Sequence, residues 1–212
     1  MGALLRLSRS IDALSGLIGR WVSWLVVAAI LVSAGNAIVR KLLDTSSNAW
    51  LELQWLLFGA VFLLASPWTL ARHEHIRIDV VNSRFPAWLR NTIELVGHVL
   101  FLVPVAVVLI VMSWPFFLAS APRLADVTAA LRGFDLARLL ASGEQSANAG
   151  GLPLWPAKLL IPLGFALLLL QAVSEICKRV AIIGGALEDP AATSHPAQAL
   201  PEHEAPPEGR GG

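Results

Sequence analysis

Charge and sulfur are both scarce in this chain. Only 15% of its 212 residues are charged, against about 25% in an ordinary soluble domain. Lys and Arg number 16 and Asp and Glu 15, a net charge of +1, so no basic field exists to hold nucleic acid, which is excluded as a partner. The one cysteine, Cys177, has no partner for an internal disulfide and cannot build a thiolate metal cage. No GxxxxGK[ST] or GxGxxG loop is present, so the chain lacks the phosphate cradle of a nucleotide-driven pump.

What is abundant is apolar sequence, 56% of the residues. Four stretches carry no charge: Trp21 to Val39, Leu53 to Ala71, Leu95 to Pro122 and Leu159 to Ser174. A charge in hydrocarbon is costly, so long uncharged runs mark what a bilayer holds. At about 1.5 Å per residue, about 19 residues reach about 28 Å, close to the hydrocarbon thickness. The expected fold is an all-α integral membrane protein with four transmembrane helices, at about 21–39, 53–71, 93–118 and 159–177. A segment 1–20 precedes this membrane domain of 21–185, and a tail 186–212 follows it.

All eight tryptophans fall near the ends of the proposed spans: Trp21, Trp24, Trp50, Trp55, Trp68, Trp88, Trp114 and Trp155. This is where an indole sits half wet at the headgroups. Lys and Arg favour the side holding both termini by ten to six, which predicts that both ends are cytoplasmic. The first run is too long for the apolar region of a signal peptide, and Arg40-Lys41 stops it as an anchor would.

The loops add expectations of their own. The connection from Arg40 to Ala49 is short, so the first two helices should be antiparallel neighbours. The inner connection RHEHIRIDVVNSRFPAWLRN, from Arg72 to Asn91, suits a short amphipathic surface segment, with Pro86 at a helix start. The outer loop 120–158 opens with Leu124, Val127, Leu131 and Phe134 at helical spacing, a face that fits the outer membrane surface or a partner. Its second half, ASGEQSANAGGLPLWP, is rich in turn formers and suits either a recognition role or a plain connector. The tail from Ala186 is dominated by Pro, Ala, Glu and Gly and is expected to be disordered.

Chemistry is sparse within the spans. Only His98 lies inside one, whereas a b-type haem is normally held by two histidines, and no nucleophile, base and acid converge. Glu94 and His98 share a helix face, suiting a local pair or a contact to another chain. Gln171, Glu175 and Lys178 or Arg179 likewise share a face of the fourth helix and suit an anchor between helices or subunits. Glu52 and Gln54 open the second helix beside Trp55, with Gly59 placed for close helix approach. Mid-depth is dry, which favours a scaffold over a conduit.

Two stretches carry a family resemblance. NAWLELQWLLFGAVFLLASPWTLARHEHIRIDVV, from Asn48 to Val81, and SGEQSANAGGLPLWPAKLLIPLGFALLLLQAVSEICKR, from Ser142 to Arg179, resemble the DctQ-type small membrane subunit of tripartite ATP-independent periplasmic (TRAP) transporters. The matching positions are Glu52, Gln54, Trp55, His75, Arg77 and Asp79 in the first. In the second they are Glu144, Ser146, Asn148, Gly150, Gly151, Pro153, Pro156, Lys158, Pro162, Gly164 and Glu175. Of these, Glu52, Gln54, Trp55, His75, Arg77, Asp79, Glu144, Asn148, Gly150, Gly151, Lys158 and Glu175, together with Trp155 and Gln171, are the candidate interface residues.

The resemblance implies a non-catalytic subunit of a sodium-coupled importer of organic acids in the bacterial inner membrane. It implies two partners besides lipid: a large multi-spanning DctM-type subunit, which carries solute and sodium, and a periplasmic substrate-binding protein. No cofactor or metal is expected on this chain. One departure stands out, the additional segment from about Ala121 to Leu140. Two other classes stay open on the residues alone: a four-helix membrane anchor for an enzyme, and a haem or quinone redox subunit.

Overall fold

The computed structural model describes residues 2–44, 47–72 and 86–187. Among these residues the fold is all helix apart from one isolated antiparallel bridge between Gln145 and Pro153. The elements are α1 (Gly2–Leu43), α2 (Asn48–Ala71), α3 (Ala87–Gly97), a π-helical turn (His98–Leu102), α4 (Val103–Ser120), α5 (Leu124–Gly133), α6 (Leu136–Ala141) and α7 (Trp155–Ile183). Four helices are long and apolar enough to cross a membrane: Leu4–Leu43, Asn48–Ala71, Trp88–Ser120 and Trp155–Ile183.

The first helix is far longer than a bilayer needs. Its 42 residues reach about 63 Å at the α-helical rise, so residues 2–20 continue the span as helix. Helix α3 starts directly after Pro86, which caps it in an extended conformation. The third span then passes through the π turn, where Val103 N–H donates to His98 O. Pro104 follows one residue later. A proline removes a backbone donor and crowds the carbonyl four residues back, and the wider π turn accommodates both effects.

Helix α7 is the hub. It packs against α1, α2, α3 and α4, while α1 and α2 also pack along one another. A third of its most apolar stretch is buried, more than in any other span. Small residues make this possible, since Gly164, Ala172 and Ser174 are all buried, and TM helices approach closely where side chains are short.

One close crossing is at Gly164. A β-carbon there would lie 2.8 Å from Leu63 Cβ and 3.2 Å from Leu63 O, so glycine is what lets α2 and α7 touch. Gly59 does not do this: nothing lies within 4 Å of its would-be β-carbon. It lines an open groove instead. Gly164→Val should force the helices apart and cost about 1–3 kcal/mol, the usual penalty of overpacking. An unchanged melting midpoint in detergent would contradict this crossing.

Large apolar side chains stay exposed around the bundle, among them Trp21, Trp24, Phe62, Phe101, Val111 and Met112. Within the third span, Ser113 Oγ donates to Leu109 O at 2.6 Å, a common solution in apolar helices. The exterior is therefore dressed for hydrocarbon or for another apolar surface.

Candidate functional site

Among the described residues, polar side chains concentrate in two clusters, one at each end of the bundle. The loop-end cluster is built on Glu52, in the first turns of α2. Its Oε1 accepts from Ser146 Oγ at 2.5 Å and Asn148 Nδ2 at 2.7 Å, and its Oε2 from Leu152 N at 2.6 Å. Asn48, one turn earlier, donates from Nδ2 to Ala149 O at 3.2 Å. One helix start thus holds the loop 146–152 by four bonds.

The loop is shaped to be held. Gly151 N–H donates to Asn148 O at 2.9 Å, and Gly150 between them has φ +69°, a conformation that glycine adopts freely. A β-carbon on Gly151 would lie 2.5 Å from Ser146 Cβ and 2.9 Å from Glu52 Oε2. Only a bare backbone fits over the carboxylate.

Lys158 and Glu144 form a second tie, an ion pair from α7 to the start of the same loop. The Lys158 ammonium also lies 4.3 Å from the centroid of the Phe116 ring on α4, a cation–π distance. Trp155, the first residue of α7, lies beside Gly143. The ammonium holds the Glu144 carboxyl below its ordinary value of 4.5. A depressed native value means that the stabilisation is complete above the unfolded value and lost as pH falls through the native one. The stability difference between the wild type and Glu144→Gln should therefore be constant down to about pH 5 and shrink below 4.5. A difference that persists at pH 3 would remove Glu144 from this role.

Below Glu52 lies a mainly apolar groove of about 310 Å³ between α2 and α7, lined by Trp55, Gly59, Leu63, Pro153, Ala157 and Ile161 among others. Trp55 is 75% exposed at its edge. Gln54 is half-buried on the same helix.

The second cluster joins the N-terminal half of α1 to the C-terminal half of α7. Gln171, Ser174 and Glu175 of α7 are completely buried. Gln171 Oε1 accepts from Ser15 Oγ at 2.7 Å, and its Nε2 donates to Asp12 Oδ1 at 2.8 Å. Ser174 Oγ donates to Asp12 Oδ1 at 2.9 Å and lies 2.8 Å from Ser8 Oγ. Lys178 bridges the helices, 2.9 Å from Asp12 Oδ2 and 2.6 Å from Glu175 Oε1. Arg179 turns to the third span, pairing with Glu94 and donating to Asn91 Oδ1 at 2.7 Å. Three helices are thus pinned at one level.

The structure separates residues that share a face in sequence. His98 Nδ1 donates to the Glu94 backbone oxygen at 2.6 Å, while the Glu94 carboxylate serves Arg179. Asp12, Ser8, Ser15 and Asn91 are absent from the candidates read from sequence. A weak signal for three of them existed: Ser8, Asp12 and Ser15 follow an i, i+4, i+7 polar stripe, though Arg6, Arg9 and Ser10 in the same segment obscure it. His75, Arg77 and Asp79 lie outside the described residues. Among the described residues no group of three or more His, Cys, Asp or Glu is placed to hold a metal ion.

This geometry defines a class. The chain is a four-span membrane protein whose clustered polar side chains hold its own helices and loop together, while its apolar surface is left uncovered. The chain belongs to the DctQ family: the family model for the DctQ component of tripartite ATP-independent periplasmic transporters matches residues 29–181, more than two thirds of its length. Comparison with curated proteins and with solved structures yields no match. The chain is thus a small-subunit type component of a transporter, a family that is non-catalytic in general.

Proposed function

We propose that this chain is the scaffold subunit of a sodium-coupled, binding-protein-dependent TRAP importer of organic acids or related solutes. It braces a large DctM-type subunit, which moves solute and sodium, while a periplasmic binding protein delivers the solute. It sits in the bacterial inner membrane with both termini in the cytoplasm. The ten-to-six bias of Lys and Arg supports that orientation, and the Ser8–Ser174 contact between the N-terminal part of α1 and the C-terminal half of α7 is in keeping with it.

The observation that carries the reading is the contrast between closed polar clusters and open apolar flanks. Two carboxylates, Glu52 and Glu175, are engaged inside the chain. A rigid bundle with uncovered helix faces suits van der Waals packing against other helices. Sodium is expected to bind the large subunit.

Uptake in proteoliposomes tests this. The large subunit with its binding protein should import an organic acid down a sodium gradient only when this chain is present. Undiminished uptake without it would refute the bracing role, and uptake indifferent to sodium would refute the coupling.

A further inference from the structure

The segment 121–143 forms a helical hairpin whose exposed face no other part of the described chain covers. Its ends are closed, because Glu144 N–H donates to Ser120 O at 3.0 Å. Ala121 and Arg123 are extended, so the chain leaves the axis of α4 directly beyond its last turn. Helices α5 and α6 then pack chiefly on each other. They have only 10 and 6 residues, less than the roughly 12–15 that an isolated helix needs in water. Their mutual packing buries Ala130, and a second surface over the outer side would stabilise them further.

The hairpin's outer side shows what that surface is. Leu124 and Leu131 are two turns apart on one face of α5, 79% and 65% exposed, and Leu136 is 67% exposed. Phe134 at the tip is 97% exposed. It adopts φ 49° and ψ 33°, in the left-handed region, where a bulky side chain is a rare outlier. Gly133 stands one position too early to relieve it. This turn closes α5, where Asp135 N–H donates to Ala130 O at 3.0 Å, and it leaves the aromatic ring at the exposed tip.

Cations frame the apolar row. Arg123, Arg132 and Arg138 are all exposed, while Asp135 accepts from Arg138 N at 2.9 Å as the cap of α6. Apolar side chains flanked by arginines, set at the end of a span, are the pattern of a helix lying in the headgroup layer of an anionic leaflet.

We propose that the α5–α6 hairpin is a lipid-binding wedge: Leu124, Leu131, Phe134 and Leu136 enter the leaflet at the loop end of the bundle, and the three arginines meet lipid phosphates. The proposal rests on the four spans alone and is independent of the transporter reading.

Spin-label depth measurements on the full chain test it. In a Cys177→Ser background, Phe134→Cys and Leu131→Cys carry the label, and Ala147→Cys, on the polar part of the loop, is the aqueous control. In nanodiscs of mixed phosphatidylcholine and phosphatidylglycerol, labels at 131 and 134 should lie about 5–10 Å below the phosphates and be shielded from a water-soluble relaxation agent. The label at 147 should remain accessible to it. Arg132→Gln with Arg138→Gln should raise the depth of both hairpin labels toward the surface. Labels at 131 and 134 that stay aqueous in the bilayer would overturn the proposal. So would shielding that appears only after a soluble protein is added, which would make the face a protein interface. Equal depth in pure phosphatidylcholine would overturn the role of the arginines.

Discussion

Arg179→Ala is expected to destabilise the protein by about 3–5 kcal/mol, the cost of breaking a buried ion pair by removing one partner. Arg179 is 4% exposed, and its guanidinium serves both Glu94 and Asn91 on the third span. Alanine withdraws the charge, both donors and the packed stem together. Arg179→Lys separates these effects: a lysine keeps the charge but lacks the fork that reaches two acceptors, so it should recover only part of the loss. Thermal unfolding in mild detergent measures both. A lysine variant as stable as the wild type would show that the fork contributes nothing.

The second large effect is expected at the opposite end. Glu52 accepts three donors, two on one oxygen and one on the other, and each is a bond to a charged acceptor. Glu52→Ala should free the loop 146–152, seen as exchange of the Leu152 amide faster by about tenfold or more. Glu52→Gln is the sharper test. A glutamine amide offers one oxygen and one NH₂ group, so its NH₂ must face either Leu152 N–H or the Ser146 and Asn148 donors. It should rescue little. Protection at Leu152 that survives in both variants would mean that the loop holds itself.

Much of the fold is legible in the sequence, because a bilayer imposes a simple rule. Runs free of charge mark the four spans, and Pro86 marks the start of α3. The family is equally legible, since Glu52 with Gln54 and Trp55 in one stretch, and the turn residues around Gly150 and Gly151 in another, form a recognisable pattern. What is hidden is the pairing. Glu52 and Leu152 are a hundred positions apart, and nothing local says that one oxygen will meet that N–H. The terminal cluster is harder still. Asp12 reads as one polar residue in a basic segment, and only the continuation of α1 from Gly2 brings it against Gln171 and Lys178.

Gly59 illustrates the same limit from the other direction. A glycine in an apolar helix marks close approach or open space, and sequence does not distinguish the two. Here Gly164 makes the crossing, and Gly59 lines the groove. The groove's mouth is framed by the Glu52 anchor, so loosening that anchor should alter the apolar surface as well as the loop.

The most direct measurement of the account is purification of the tagged full chain from its own cells in mild detergent, with mass spectrometry of whatever remains bound. Recovery of one larger, multi-spanning membrane protein at near equal stoichiometry is the predicted result. Recovery of a soluble enzyme or a cofactor-bearing subunit, with no such permease, would contradict it and make the four helices an anchor.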